Sequence, residues 1–145
     1  MNNNRRQKLH RCSSSLKYVN LKLEYVVEKL SSLLNFKQEI NELSQTISDT
    51  VQKLEQIYAE EQNAYDSLPE NLQFSDIGMN IDFAMSDIQD AQNDTEKLLE
   101  QLDALEETYF QFLSTYNPQP LISKIESVTE VIEDAKESIE YATQK

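Results

Sequence analysis

Apolar residues recur along this chain at alternating steps of three and four, the spacing that places them on one edge of an α-helix. We call such an edge a seam. The clearest seam runs from residue 81 to residue 112, and one of its positions holds Thr95. Its apolar members are Ile81, Ala84, Ile88, Ala91, Leu98, Leu102, Leu105, Tyr109 and Phe112. Every acid of the stretch falls off the seam, so the pattern predicts a long helix with a negatively charged outer face.

Two further seams predict more helices of the same kind. The first occupies positions 16, 19, 23, 26, 30, 33, 36, 40, 43, 47, 50, 54 and 57. Two successive steps of three at its centre predict a break or a bend near residues 32–37, and they leave open whether residues 13–65 form one helix or two. The last seam comprises Leu121, Ile125, Val128, Ile132, Ala135, Ile139 and Ala142. The chain has one Gly, three Pro and no strand-like alternation, which favours long helices over strands. We therefore predict an all-α, antiparallel helical bundle of three to four helices with coiled-coil character.

Capping residues and helix breakers predict where these helices begin and end. We expect a basic, flexible segment at 1–12 and a single helical domain at 13–145. Its helices are predicted at about 13–34, 36–66, 76–116 and 118–143. Ser13, Ser14 and Ser15 offer hydroxyls to cap the first helix, although a start near Arg5, with Leu9 as the first apolar contact, is also open.

The main corner of the chain is predicted at residues 66–78, around Pro69. Ser67 and Glu70 have the spacing of a capping box for one short turn. We expect Leu68, Leu72 and Phe74 to close the end of the bundle. A second stop is predicted where Asn117 can cap the last helix and Pro118 can begin it.

The segment before this corner carries a resemblance to known proteins. It reads Ala-Glu-Glu-Gln-Asn-Ala-Tyr-Asp-Ser-Leu-Pro-Glu-Asn-Leu-Gln over residues 59–73, and Arg-Arg-Gln-Lys-Leu stands at residues 5–9. Both resemble segments in a group of small, acidic, helical proteins of bacteriophages and mobile elements, over some forty residues. The chain departs from that group after Gln73, where an apolar stretch replaces a charged one. The group has no settled activity, so the resemblance implies a source and a shape.

Charge is divided unequally along the chain, whose net charge is −13. Residues 1–37 carry a balance of +6 and residues 38–145 a balance of −19. The basic segment, which contains Arg5, Arg6, Lys8 and Arg11, can dock on the acidic body of its own chain or on another molecule. We predict an acidic partner-binding face made of Asp87, Asp90, Asp94, Glu100, Asp103, Glu107, Glu126, Glu130, Glu133 and Glu137.

The residue inventory excludes most catalytic arrangements. A single His10 rules out a His-Glu-x-x-His zinc site, and a single Gly rules out glycine-rich phosphate loops. Helical acids are interpreted as a solvated face rather than as metal ligands. Cys12, the one cysteine, is interpreted as an incidental thiol, although the nearby cations could lower its pKa. We therefore predict no catalytic residue, no cofactor and no metal site.

These observations favour a non-enzymatic protein-binding protein, encoded by a phage or mobile element, that presents its acidic helices to a basic host or phage protein. It could act as an inhibitor of a host factor or as a mimic of DNA. A structural, homo-oligomeric coiled-coil protein is one alternative, and a weak nucleic-acid binder acting through the basic N-terminus is another. The lone cysteine and the lack of an apolar span or signal sequence predict no membrane contact and a cytoplasmic location in a bacterial host.

Overall fold

The computed structural model describes residues 1–28, 36–115 and 119–145, and every regular element within these ranges is helical. The elements are α1 (Asn3–Glu28), α2 (Phe36–Asp66), α3 (Glu70–Gln73), α4 (Asp76–Thr115) and α5 (Gln119–Gln144). The prediction of an all-α chain is confirmed. The described ranges contain one short helix, α3, beyond the three to four that we expected.

The four long helices contact one another in a closed order. α1 lies against α2 and α5, and α4 lies against the same two helices. Lys8, near the start of α1, pairs with Glu60, near the end of α2. Because these residues are 52 positions apart and still in contact, α1 and α2 are two helices rather than one. The predicted end at residue 34, and most of the predicted break at 32–37, fall outside the described residues.

Most of the buried residues of each helix belong to its seam. Every seam member whose side chain the structure describes is buried, except Tyr109 and Phe112, which are partly buried and pack against the core. Burial of one large aliphatic side chain contributes about 1.5–3 kcal/mol, so these seams account for most of the packing energy. Thr95 is fully buried on the α4 seam, and its hydroxyl donates to the Ala91 carbonyl at 2.6 Å. The polar seam position is therefore satisfied within its own helix.

α1 begins ten residues earlier than Ser13, so the predicted helix start at residue 13 is wrong. Leu9 and Cys12 are fully buried and extend the seam toward the N-terminus. The Asn2 side chain accepts the Arg5 amide at 2.9 Å, as an N-cap residue does. Ser14 and Ser15 instead donate to carbonyls one turn earlier in α1, at His10 and Arg11. The earlier start that the sequence left open is closer to the structure.

The corner between α2 and α4 is closed by backbone bonds rather than by a capping box. Pro69 stands at the N-cap of α3, which has no side-chain cap, and the Ser67 hydroxyl donates to the Asn63 carbonyl. The capping-box prediction is therefore wrong. Phe74 is 79% exposed and does not pack into the core as expected, whereas Leu68 and Leu72 are partly buried.

α4 begins at Asp76, where its start is predicted, and its first turn passes very close to α3. A Cβ atom on Gly78 would lie 2.0 Å from the carbonyl oxygen of Gln73, so only glycine fits there. The predicted stop at Asn117 and Pro118 lies outside the described residues.

Candidate functional site

The basic segment docks on α2 through a buried ion pair. The Arg5 Nε–H donates to Oε1 of Glu61, whose side chain is fully buried, while the Arg5 side chain is 14% exposed. Glu61 Oε2 is also buried, and it has no hydrogen-bond partner among the described protein atoms. We expected carboxylates to be excluded from the seams, and at Glu61 that expectation is wrong. Removal of either partner would leave an uncompensated buried charge.

A second ion pair beside the first is more exposed. The Lys8 ammonium donates to Oε1 of Glu60, and both side chains are 35% exposed. Arg11 is exposed and lines a shallow cleft with Lys8, Lys53 and Gln56. Two of the four predicted cations are thus engaged with their own chain, one of them inside the core.

The ten predicted partner-binding acids all lie outside the core, but they do not form one face. Six of them are exposed and make neither an ion pair nor a side-chain hydrogen bond with another described residue: Asp90, Glu100, Asp103, Glu107, Glu126 and Glu130. The other four have neighbours. Glu133 accepts from Asn20 of α1 at 3.1 Å and from Lys136, so it faces α1. Asp94 pairs with Lys97 at 3.1 Å.

One group of these acids is brought together where the outer edges of α4 and α5 meet. Asp87 lies 3.8 Å from the Lys145 ammonium, which also stands 5.9 Å from the centroid of the Phe83 ring. Tyr141 of α5 donates to Glu137 at 2.6 Å, and that hydrogen bond, with the charge of Glu137, raises the pKa of the Tyr141 hydroxyl. Phe83 and Tyr141 are 50% and 48% exposed. We call this group, with Asp90 and Asp94 one and two turns further along α4 on the same side, the aromatic–acidic surface; its members are Phe83, Asp87, Asp90, Asp94, Glu137 and Tyr141. The Lys145 ammonium lies within it, against Asp87 and Phe83.

Sequence reasoning missed the two aromatic members of this surface and the buried acid. Phe83 and Tyr141 lie off the seams, which is the signal that marks a residue as exposed. Glu61 follows the seam residues Leu54 and Ile57 at a step of four. Continuing the seam by that step would have identified it as a buried carboxylate that needs a cation.

The tyrosines divide into packed and exposed groups. Tyr109 stacks on Phe36 with ring centroids 4.0 Å apart, and Tyr58 packs against the core. Tyr18 and Tyr25 of α1 are each 50% exposed and lie on the side opposite its seam. Tyr116 falls outside the described residues.

Cys12 is a core residue rather than a thiol in a tail. Its side chain is fully buried, and burial raises the pKa of the thiol to about 11. This shift is opposite in direction to the lowering that neighbouring cations would cause. A neutral, buried thiol is a poor nucleophile, because the thiolate is the reactive species.

No metal-binding cluster is formed by the described residues. They contain no set of three or more His, Cys, Asp or Glu side chains placed to hold a metal ion. An open cleft of about 560 Å³ between α1 and α5 is lined by His10, Ser13, Glu133 and Lys136, among others. None of the described helices combines the length and the apolar character needed to cross a bilayer.

Comparison with models of known protein families, with curated proteins and with solved structures finds no match to this chain.

Proposed function

We propose that this chain is a non-enzymatic protein-binding protein that presents the acidic outer surface of α4 and α5 to a partner with a basic surface. The observation that carries this proposal is that six of the predicted acids on α4 and α5 are exposed and make neither an ion pair nor a side-chain hydrogen bond with another described residue. The cations of a partner could pair with these carboxylates directly, because no described contact within the chain neutralises them.

Electrostatics favours fast encounter with such a partner. Residues 76–145 hold sixteen acids against four lysines, a balance of −12. A field of one sign over a long surface raises the association rate of an oppositely charged protein and weakens as salt is added. Specificity needs contacts of another kind, and the half-exposed rings of Phe83 and Tyr141 can supply them.

The scaffold that we propose for this surface is an antiparallel bundle of the four long helices with coiled-coil seams. The pairing of Lys8 with Glu60 and the stacking of Phe36 on Tyr109 support it. Spin labels on the exposed residues Gln7 and Gln62, in a chain with Cys12 replaced, test the direction of α1 and α2. A short distance for that pair and a long one for Gln7 and Gln38 support the bundle, and the reverse order contradicts it.

A phage or mobile-element origin would make the partner a host protein of the bacterial cytoplasm. Carboxylates along two long helices can imitate a row of phosphates, so a host factor that binds nucleic acid fits this surface best. The chain would then act as an inhibitor that occupies the nucleic-acid site. The resemblance of residues 59–73 to phage proteins supports the origin.

The proposal is tested by a pull-down from bacterial lysate at low salt with matched charge variants. One variant neutralises acids of the proposed surface: Asp90→Asn, Glu100→Gln, Glu126→Gln and Glu130→Gln. The control neutralises the same number of exposed acids on α2: Glu42→Gln, Asp49→Asn, Glu55→Gln and Asp66→Asn. We expect a basic protein to be retained by the natural chain and by the control, and to be lost from the first variant. Equal loss from both variants, or no basic protein at all, would overturn the proposal.

The structure gives less support to the nucleic-acid alternative. Arg5 is held in the buried pair with Glu61, and Lys8 is paired with Glu60. Only Arg6 and Arg11 of the predicted basic segment are then left to contact phosphates. Each phosphate contact adds to a salt-dependent affinity, so two contacts would give weak binding.

A further inference from the structure

α1 carries a second stripe of large side chains on the side opposite its seam. Tyr18, Leu21 and Tyr25 follow one another at steps of three and four, like the buried residues, and are 50%, 56% and 50% exposed. A helix with large side chains on two opposite sides has two surfaces that can make contacts. The other described helices of this chain use only one of them. We call these three residues, together with Lys22, the α1 strip.

The strip is organised by a cation. The Lys22 ammonium stands 5.9 Å from the centroid of the Tyr18 ring and 6.0 Å from that of the Tyr25 ring. Contacts of this kind restrict the rotamers of both rings, so part of the ordering entropy that docking requires is already lost in the free chain. Tyrosine is one of the residue types enriched at the hot spots of protein interfaces.

The charge around the strip is positive. Arg11 and Lys17 are exposed on the same helix, and Glu24 is the nearest described acid on α1. The contacts of α1 with α2 and α5 use its seam. Within the described ranges, no other helix covers the strip. The occupant that fits is therefore an acidic surface that also offers exposed aromatic rings.

We propose that the α1 strip of one copy docks on the aromatic–acidic surface of a second copy. That surface carries Asp90, which makes no ion pair with another described residue, and Asp87, Asp94 and Glu137, which contact Lys145, Lys97 and Tyr141 of their own chain. The rings of Phe83 and Tyr141 are half-exposed beside these acids. The surface therefore matches the strip in charge and in apolar character. A symmetric contact between two α1 strips would instead bring Lys22 of each copy close to Lys22 of the other, which like-charge repulsion disfavours.

This contact joins two different surfaces, so it continues from copy to copy in a head-to-tail manner. The three exposed side chains of the strip form a small patch, and an interface of this size is weak and reversible. The self-association rests on the proposed function only in using the same acidic region of the chain, and it needs no other protein.

The test is sedimentation velocity of the purified full-length chain and of two complementary variants at low salt. The strip variant is Tyr18→Ala/Leu21→Ala/Tyr25→Ala, and the surface variant is Asp90→Lys/Glu137→Lys. A matched control, Glu100→Lys/Glu126→Lys, changes the net charge by the same amount outside the aromatic–acidic surface. We expect the natural chain and the control to grow in mass with concentration and each of the two variants to stay monomeric.

Mixing the two variants gives the decisive result. The strip variant keeps an intact aromatic–acidic surface and the surface variant keeps an intact strip, so an equimolar mixture forms a dimer that does not grow further. The same dimer shows that both variants are folded. Salt added above the millimolar range weakens the affinity within this dimer by roughly tenfold or more. The reason is that the charges in the contact are exposed and are therefore screened.

Three outcomes would overturn the inference: a natural chain that stays monomeric at millimolar concentration, a surface variant that self-associates as well as the natural chain, or a mixture without a dimer. Failure here is distinguishable from failure of the proposed function. A natural chain that stays monomeric but still retains the basic lysate protein would overturn self-association alone.

Discussion

The ring of Phe36 stacks on the ring of Tyr109, with centroids 4.0 Å apart and an angle of 18° between the planes. Phe36 is the first residue of α2, and Tyr109 lies near the end of α4. The Phe36 side chain is 1% exposed, and Tyr109 packs on the core from its edge. The contact ties the start of α2 to α4 where the two helices would otherwise fray.

Truncation of this contact should be costly. Phe36→Ala is expected to lower the free energy of unfolding by about 3–5 kcal/mol, because it removes a fully buried ring and leaves a cavity. Urea denaturation followed by circular dichroism measures the change. The control is Phe74→Ala, whose ring is 79% exposed and should change stability by less than about 0.5 kcal/mol. Similar losses for both variants would show that the stacked contact is not specially stabilising.

The two ion pairs of α1 and α2 should differ in strength because they differ in burial. Glu61→Ala leaves Arg5 nearly buried without a counter-charge and is expected to destabilise the chain by about 3–5 kcal/mol. Glu60→Ala breaks the more exposed pair with Lys8 and should cost about 0–1 kcal/mol. Urea denaturation of both variants tests this difference between adjacent glutamates.

Replacement of both buried partners distinguishes the stabilisation by the ion pair itself from the cost of leaving one charge unpaired in the core. Arg5→Met/Glu61→Leu should recover most of the stability lost in Glu61→Ala, because no unpaired charge remains in the core. A double variant as unstable as Glu61→Ala would show that the pair contributes more than the avoidance of an unpaired charge.

Gly78 should not tolerate even one added carbon. Gly78→Ala is expected to lower the melting temperature, although alanine is intrinsically better in a helix by about 1 kcal/mol, because its Cβ would collide with the Gln73 carbonyl. The control is Asn80→Ala, at an exposed position two residues along the same helix. It gains the higher helix propensity of alanine without any collision, so it should raise the melting temperature. A rise for both variants would contradict the close approach of α3 and α4.

Burial of Cys12 should make stability depend on alkaline pH. The thiol has a pKa of about 11 in the folded chain and 9.0 in its ordinary state, so the folded chain keeps its proton longer than the unfolded one. The stabilisation is fully present below pH 9 and is lost as the pH rises toward 11, at about 1.4 kcal/mol per pH unit at most. The stability difference between the natural chain and Cys12→Ala should therefore shrink from pH 8 to pH 11. A pH-independent difference would contradict a raised pKa.

The seams could be predicted almost completely from the sequence, because helical burial repeats locally along the chain. Leu16, Val19 and Leu23 on α1 are buried as their spacing predicts, as are Ile125 and Ile139 on α5. This regularity follows from the helix period alone. Nothing distant in the sequence has to be known in order to find it.

The errors lie where distant residues decide the outcome. The polar start of α1 read as a tail because the partners of Arg5 and Lys8 are more than fifty residues away on α2. Phe74 was expected inside because it is a large aromatic, but the bonds that close the corner leave its ring in solvent. Partner preference is harder still to predict, because it depends on which acids already have neighbours, as Glu133 has Asn20.

The contact between Asn20 and Glu133 joins residues 113 positions apart and places the first long helix beside the last. During synthesis, the apolar edge of α1 that α5 covers therefore stays uncovered until α5 has left the ribosome. At about 5–20 residues per second this delay lasts roughly 5–25 s. Through that interval the apolar edge of α1 is exposed on the nascent chain, so slower translation of α5 should increase aggregation.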